Sequence, residues 1–337
     1  MPISSTVTAF VLAAVAVSVQ AKQAFTWGHL PHKWEQGQTG YNDCGTTDTP
    51  TAQCQTLIVN SVDDFCLWGA VKPGTAVGDA EQNMIAYCNK AGHGARLMPP
   101  GTIKGAHFVS TDKYIQLTGR ADLSKINVNA YAEGGGELDP HGATGLGNPI
   151  GSLVFSTALT PGSSVPVQAQ EWHMFLEEDR FCIKACRPSD GNAPSDCNHI
   201  YDGCEWNDPG NYNTGFDTCE GEVQQPPGVY GQSTWYQGQN PTPAAHPAGK
   251  KSDCVQTATI QYGSYGSKVV TSTTKGPKPT HKPKTHHTKP HKTHKAEPVK
   301  KTEEPAKKTH EKKHHDSKPK HHKKAKHGKR DEDSLFN

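Results

Sequence analysis

No stretch of this chain is apolar for long enough to cross a bilayer. The longest such run, Ala9–Val19 (AFVLAAVAVSV), is about 11 residues, where a membrane-spanning helix needs roughly 20. That length matches a secretory h-region. Val19-Gln20-Ala21 places small residues three and one before a cut, so a signal peptide over 1–21, cleaved after Ala21, is expected. The chain also lacks an Asn-x-Ser/Thr sequon, since Asn240 is followed by Pro241, so any glycan is O-linked, at Thr271–Thr274 or the threonines beyond. Gly-x-Ser-x-Gly, His-Glu-x-x-His and a catalytic cysteine arrangement are all missing. The glycines of Gly145–Gly151 have the wrong spacing for a dinucleotide fingerprint, and no Gly-Lys-Ser/Thr follows them. The favoured reading of Gly134–Gly151 is an Ω-type loop whose glycines take positive φ.

The last sixty-odd residues have very little apolar character. Before Phe336 they hold no aromatic and almost no aliphatic side chain. From Lys275 to Asn337 there are 20 Lys and Arg against 8 Asp and Glu, a net +12. The rest of the chain has 15 against 25, a net −10, so the overall +2 hides an acidic body and a basic arm. With so little to bury, the arm, residues 271–337, is expected to be disordered. It is expected to bind anionic polysaccharide by charge alone, with strong salt dependence and no specific nucleic-acid recognition. The adjacent pairs His286-His287, His314-His315 and His321-His322 suit Cu or Zn. A solvated spacer is the bland alternative. Lys329-Arg330 is a dibasic cleavage site or a chance pair in a Lys-rich arm.

What the chain does have is cysteine. Cys44, Cys54, Cys66, Cys88, Cys182, Cys186, Cys197, Cys204, Cys219 and Cys254 all fall within residues 22–270. An even count behind a secretory leader reads as a disulfide framework. The two clusters, before and after a long Cys-free stretch, predict mainly local bridges. Zinc held by Cys182 and Cys186 is the competing reading.

Short apolar runs at 56–60, 64–68, 106–110, 114–118 and 152–156, bounded by turn residues, predict strands. Helices are expected over Glu81–Lys90, capped by Asp79, and over Glu171–Cys186, where Trp172, Phe175, Leu176, Phe181 and Ile183 recur at helical spacing. Residues 232–250 read as a surface excursion and 255–270 as a last edge strand. The expected fold is mainly β with a few short helices (α+β), a disulfide-stapled sandwich- or barrel-like body over 22–270 followed by the arm.

Glu133-Gly-Gly-Gly-Glu-Leu-Asp-Pro-His-Gly142, Gly147-Asn-Pro-Ile-Gly-Ser-Leu-Val-Phe-Ser156, Thr26-Trp-Gly-His-Leu-Pro-His-Lys-Trp34 and Cys197-Asn-His-Ile-Tyr-Asp202 resemble secreted fungal (basidiomycete-type) macrophage-activating glycoproteins and immunoreactive mannoproteins. The resemblance implies an extracellular or cell-wall glycoprotein with no assigned catalytic residues and with a host surface or immune receptor as a partner. Many members end in a lipid-anchor signal; Asp331–Asn337 offers no hydrophobic tail for one.

Inside the Gly-rich stretch, Glu137, Asp139 and His141 alternate, which on extended backbone aims them one way, at a divalent metal or a sugar. The competing reading has Asp139 and His141 bonding nearby backbone to hold the loop. Glu171, Glu177 and Asp139 supply the carboxylate pairs a glycosidase needs, as any body this acidic does. Of the six Trp, Trp235, amid Ser, Thr, Tyr and Gln, is expected to be exposed. The leading expectation is a secreted non-enzymatic fungal cell-surface or cell-wall glycoprotein acting at a host. A secreted carbohydrate-active enzyme held by its basic tail, and an effector translocated into host cells with Lys323-Lys324-Ala325-Lys326 as a nuclear address, are the alternatives.

Overall fold

Short apolar stretches separated by turns pair first with their chain neighbours, and here they do so twice over. The computed structural model describes residues 25–188 and 203–266, all within one compact unit, Met1–Thr273. Thr56–Ser61 (β1), Asp64–Gly69 (β2) and Ile85–Cys88 (β3) form an antiparallel meander, and Arg96–Leu97 (β4) adds parallel to β3. Leu153–Ser156 (β8) joins β1 in parallel, and Val167–Ala169 (β9) closes that sheet in the order β4-β3-β2-β1-β8-β9. The second sheet is built on Ile103–Ser110 (β5), Tyr114–Ala121 (β6), Trp172–Glu177 (β10) and Arg180–Cys186 (β11). Gly136–Leu138 (β7), Gly215–Gly221 (β12) and Lys251–Thr257 (β15) complete it, in the order β15-β12-β5-β6-β11-β10-β7. Val229–Tyr230 (β13) and Ser233–Thr234 (β14) make a small separate hairpin. Among the described residues helix is confined to short pieces, including Val77–Ala80 (α1) and Gly203–Asn207 (α2). No helix among the described residues is long and apolar enough to cross a membrane.

The two large sheets share one hydrophobic core. Phe65 of β2 stacks on Phe181 of β11 with centroids 5.9 Å apart, and Trp68 lies 6.0 Å from Trp172. Each such fully buried side chain contributes about 1.5–3 kcal/mol. The expected mainly-β, disulfide-stapled fold is thus what the chain adopts, as a sandwich of open sheets. All five strands read from the sequence are present, and the last edge strand is β15, which starts and ends earlier than expected.

Both expected helices are corrected. Residues 171–186 form the β10–β11 hairpin, turning through Glu178 at φ 45°. Trp172, Met174, Leu176, Phe181, Ile183 and Ala185 enter the shared core while Phe175 and Cys182 are buried on the opposite face. A strand covered on both sides loses its alternation and imitates a helical stripe. Residues 81–90 give one 3₁₀ turn, Glu81–Asn83, then β3, which is pinned because Cys88 sits opposite Cys66 and is bonded to it.

The disulfides are local, as expected: Cys44–Cys54, Cys66–Cys88, Cys182–Cys204 and Cys219–Cys254. Cys186 is disulfide-bonded too, and Cys197 lies outside the described residues. The zinc reading of Cys182 and Cys186 is therefore overturned: both thiolates are consumed as disulfides.

Candidate functional site

The Gly-rich stretch that follows β7 is a tightly wired loop. Oδ1 of Asp139 accepts the backbone N–H groups of His141 and Gly142, each at 2.7 Å. Asp139 and Asn148 pair as an isolated antiparallel bridge across the loop's base. The Gly147 N–H reaches the His141 carbonyl at 2.7 Å. Gly147, at φ 101°, would place a Cβ 2.7 Å from the Pro149 carbonyl, so only glycine fits there. A second segment docks against the loop: Asn42 Nδ2 donates to the carbonyls of Lys33 at 2.9 Å and Gly151 at 2.7 Å.

Between these segments and the β9–β10 turn lies an open cleft of about 360 Å³. Lys33, Glu35, His141, Ser152, Gln170 and Glu171 are among its lining groups. Lys33 is ion-paired with Glu35, and His141 Nε2 meets Glu171 Oε2 at 2.9 Å. Ser152 Oγ on the wall is buried with no hydrogen-bond partner among the described residues. Two neighbours of the loop, Gln38 Nε2 and Asn148 Oδ1, are in the same condition. Donors and acceptors of both signs in one open groove match a neutral, hydroxyl-rich ligand better than an anion. Trp34, between two lining residues in the chain, is 67% exposed. Trp235 is the corrected case. It is only 8% exposed and packs on Trp206 at 5.1 Å, because the polar residues around it lie on the outside of the β13–β14 hairpin.

The metal expectation at Glu137, Asp139 and His141 meets a different arrangement. Asp139 is buried and spent on the loop's own amides, and His141 turns to Glu171. No metal-holding group of three or more His, Cys, Asp or Glu occurs among the described residues. Glu137 instead faces carboxylates. Burial, then the charges of Asp139 and Glu81, push it up to about 7. Glu177 lies elsewhere, accepting the Cys204 N–H at 2.6 Å, with its carboxyl raised chiefly by burial. Glu171, Glu177 and Asp139 thus each have a separate partner. Ala21, the tail histidines His286, His287, His314, His315, His321 and His322, and Lys329-Arg330 lie outside the described residues.

The fold and cleft define a mainly-β, disulfide-crosslinked protein with a polar groove. No family model and no solved structure matches the chain. Two curated proteins of the fungus Mycosarcoma maydis are similar to it. Appressorium protein ROW2 is 48% identical over 266 residues, covering 75% of this chain and 89% of ROW2. Appressorium protein ROW1 is 46% identical over 230 residues, covering 67% of this chain and about half, 53%, of ROW1. The chain belongs to this basidiomycete family of fungal appressorium proteins.

Proposed function

We propose that this chain is a secreted, non-enzymatic glycoprotein of the fungal cell surface or wall that acts where the fungus meets its host. In this reading the stapled body recognises a neutral wall or host glycan, and the basic arm holds the protein on anionic polymer. The observation that carries it is the cleft beside the Gly-rich loop, whose paired charges and unpartnered Ser152 hydroxyl suit sugar hydroxyls. Family membership among appressorium proteins supports a role in infection, and the disulfide set suits an oxidising, extracellular setting. The similar curated proteins are appressorium proteins and not macrophage-activating glycoproteins, so the host-facing reading rests on the former. Metal capture by the tail histidine pairs is a secondary property of the same arm.

A glycan array probed with full-length protein and with residues 22–270 tests the reading. The body is expected to select neutral glycans and to lose them in Trp34→Ala or Ser152→Leu. Full-length protein is expected to add salt-sensitive signal on acidic glycans. A body blank on every glycan refutes the cleft assignment.

One observation favours a carbohydrate-active enzyme as second reading. Glu137, held near neutrality beside two other carboxyls, has the character of a general acid. Release of reducing ends from an array-positive glycan, lost in Glu137→Gln, would move the assignment there.

A further inference from the structure

The outer face of the seven-stranded sheet is polar yet buried. Strand register places Asp217, His107, Thr118, Lys184 and His173 on it, across five strands. The segment after α2 lies over them. Thr118 Oγ1 donates to the Asn211 carbonyl at 2.9 Å, and Tyr212 Oη donates to the Asp208 carbonyl at 2.7 Å.

Within this layer β11 presents Cys182, Lys184 and Cys186 in a row, since alternate residues of a strand share a face. Cys182 is bonded to Cys204, and Cys186 is disulfide-bonded as well. Lys184 lies between these two covalent attachment points and is 0% exposed. Its Nζ is 2.7 Å from Oδ1 of Asp208, also fully buried, and donates to the Asn207 carbonyl at 3.0 Å. His173, directly opposite Lys184 on β10, places Nε2 3.0 Å from each oxygen of the same carboxylate. Nδ1 of His173 has no partner among the described residues, so Nε2 carries the proton the carboxylate accepts. Apolar clusters adjoin the triad: Phe175 packs 5.8 Å from the His173 ring, beside Cys204 and Tyr212, and the Tyr114 ring lies 5.0 Å from Lys184 Nζ, beside Val223.

An ammonium and a carboxylate walled off in this way carry a large desolvation cost. Burial alone would push the Asp208 carboxyl up. His173 and Lys184 outweigh it and hold it well below the usual range, so the ion pair is the starting state. The Cys182–Cys204 bond, two residues from Lys184 and four from Asp208, holds the two groups near each other, which lowers the entropic cost of their reaction.

We propose that Lys184 and Asp208 are a covalent modification site, an intramolecular isopeptide bond from Nζ of Lys184 to Cγ of Asp208 that the folded protein forms by itself. Along the Nζ–Oδ1 hydrogen bond the ammonium passes one proton to the carboxylate, leaving a neutral amine beside a neutral acid. The amine lone pair attacks Cγ, while the His173 Nε2–H stabilises the negative charge developing on Oδ2. The Cγ–Oδ1 bond then breaks, and Oδ1 leaves as water with the proton it received first and a second one from Nζ. An ammonium and a carboxylate become one amide and one water. Net charge is unchanged, and neither an oxidant nor a second substrate takes part. His173 is the catalytic residue, touching the reacting carboxyl and emerging unaltered.

Secreted full-length protein, reduced and cut with a Glu-specific protease, provides the test. Cleavage after Glu178, Glu205 and Glu220 separates residues 179–205 from 206–220. The expected product is one branched species holding both fragments, resistant to reduction, lighter than their sum by one water, and with its branch point at Lys184 and Asp208. Asp208→Asn is expected to give the same branch with loss of one ammonia instead. His173→Gln is expected to form it more slowly, and Lys184→Met not at all. Two separate fragments from correctly oxidised wild-type protein, or a branch point at any other residue, overturn the proposal. That readout rests on the unaltered chain, so a variant that fails to fold does not weaken it.

Discussion

Glu137→Gln is expected to stabilise the protein in mild alkali and to change little in acid. The Glu137 carboxyl is raised from an ordinary value of 4.5 to about 7, by burial first and then by Asp139 and Glu81. The folded protein therefore holds this proton more tightly than the unfolded chain does. The favourable contribution is complete below about pH 4.5 and is lost as pH rises through about 7. At about 1.4 kcal/mol per pH unit that span sets a ceiling of about 3 kcal/mol. Glu137 is partly exposed, and solvent screening lowers the figure to about 1–2 kcal/mol. Glutamine keeps the shape of the neutral acid and cannot ionise, so it recovers this amount at high pH. For a body of this size that is a rise in Tm of about 3–6 °C. Thermal and urea unfolding at about pH 5 and about pH 8.5, with disulfides intact, gives the measurement. Glu81→Gln should shrink the gain, because it removes one of the repelling charges. An equal gain at both pH values, or a loss at the higher one, refutes the reasoning that neighbouring carboxylates and burial destabilise the ionised form.

Asp64 runs the opposite way. Burial raises its carboxyl, but the bond to His93 Nε2 at 2.7 Å, the bond from Asn60 and the Lys90 charge hold it at about 2. Its contribution is present above about pH 4 and lost as pH falls through about 2, so Asp64→Asn should cost about 2 kcal/mol at neutral pH. In urea titrations the deficit should narrow towards pH 2, and a constant deficit would contradict the ion pair. Trp235→Ala removes the contact with Trp206 and should cost about 3–5 kcal/mol of local stability. Near-ultraviolet dichroism and proteolysis between 224 and 250 report it, and unchanged protection would mean the hairpin is not anchored there. Deleting residues 271–337 should abolish adhesion to polyuronate. In the intact protein adhesion should weaken with salt and strengthen from about pH 7.5 to 5.5 as the arm's histidines charge. Adhesion that survives the deletion speaks against the arm as anchor.

Much of the scaffold is legible in the chain. Strands such as Ala106–Ser110 and Tyr114–Thr118 are marked by a three-residue turn, and clustered cysteines foretell short-range bridges. The β10–β11 hairpin is not legible as strand, because Phe175 and Cys182 bury its second face and erase the polar half of the alternation. Trp235 misleads for a related reason: its neighbours are polar, but the partner that covers it, Trp206, is distant in sequence. The cleft is half visible. Pro140–Gly151 reads correctly as a loop with glycines at positive φ, whereas Gly136–Leu138, read as part of it, is strand β7, and the partner wall of Lys33 and Glu35 comes from an unrelated stretch. The buried lysine did leave a signal, a lone cation inside the run Phe181-Cys-Ile-Lys-Ala-Cys186, where a solvated strand would carry several.

The parallel pairing of β1 with β8 and of β5 with β12 sets an order of events as the chain is synthesised. Val59 cannot receive its bond from Ser156 until the intervening loop has emerged, and Gly105 waits longer still for Gly215. Cys44–Cys54 and Cys66–Cys88, at separations of 10 and 22, can close well before that. In the oxidising setting proposed above, these two bridges become available to the chain before its sheets do, while β1 still presents an open edge.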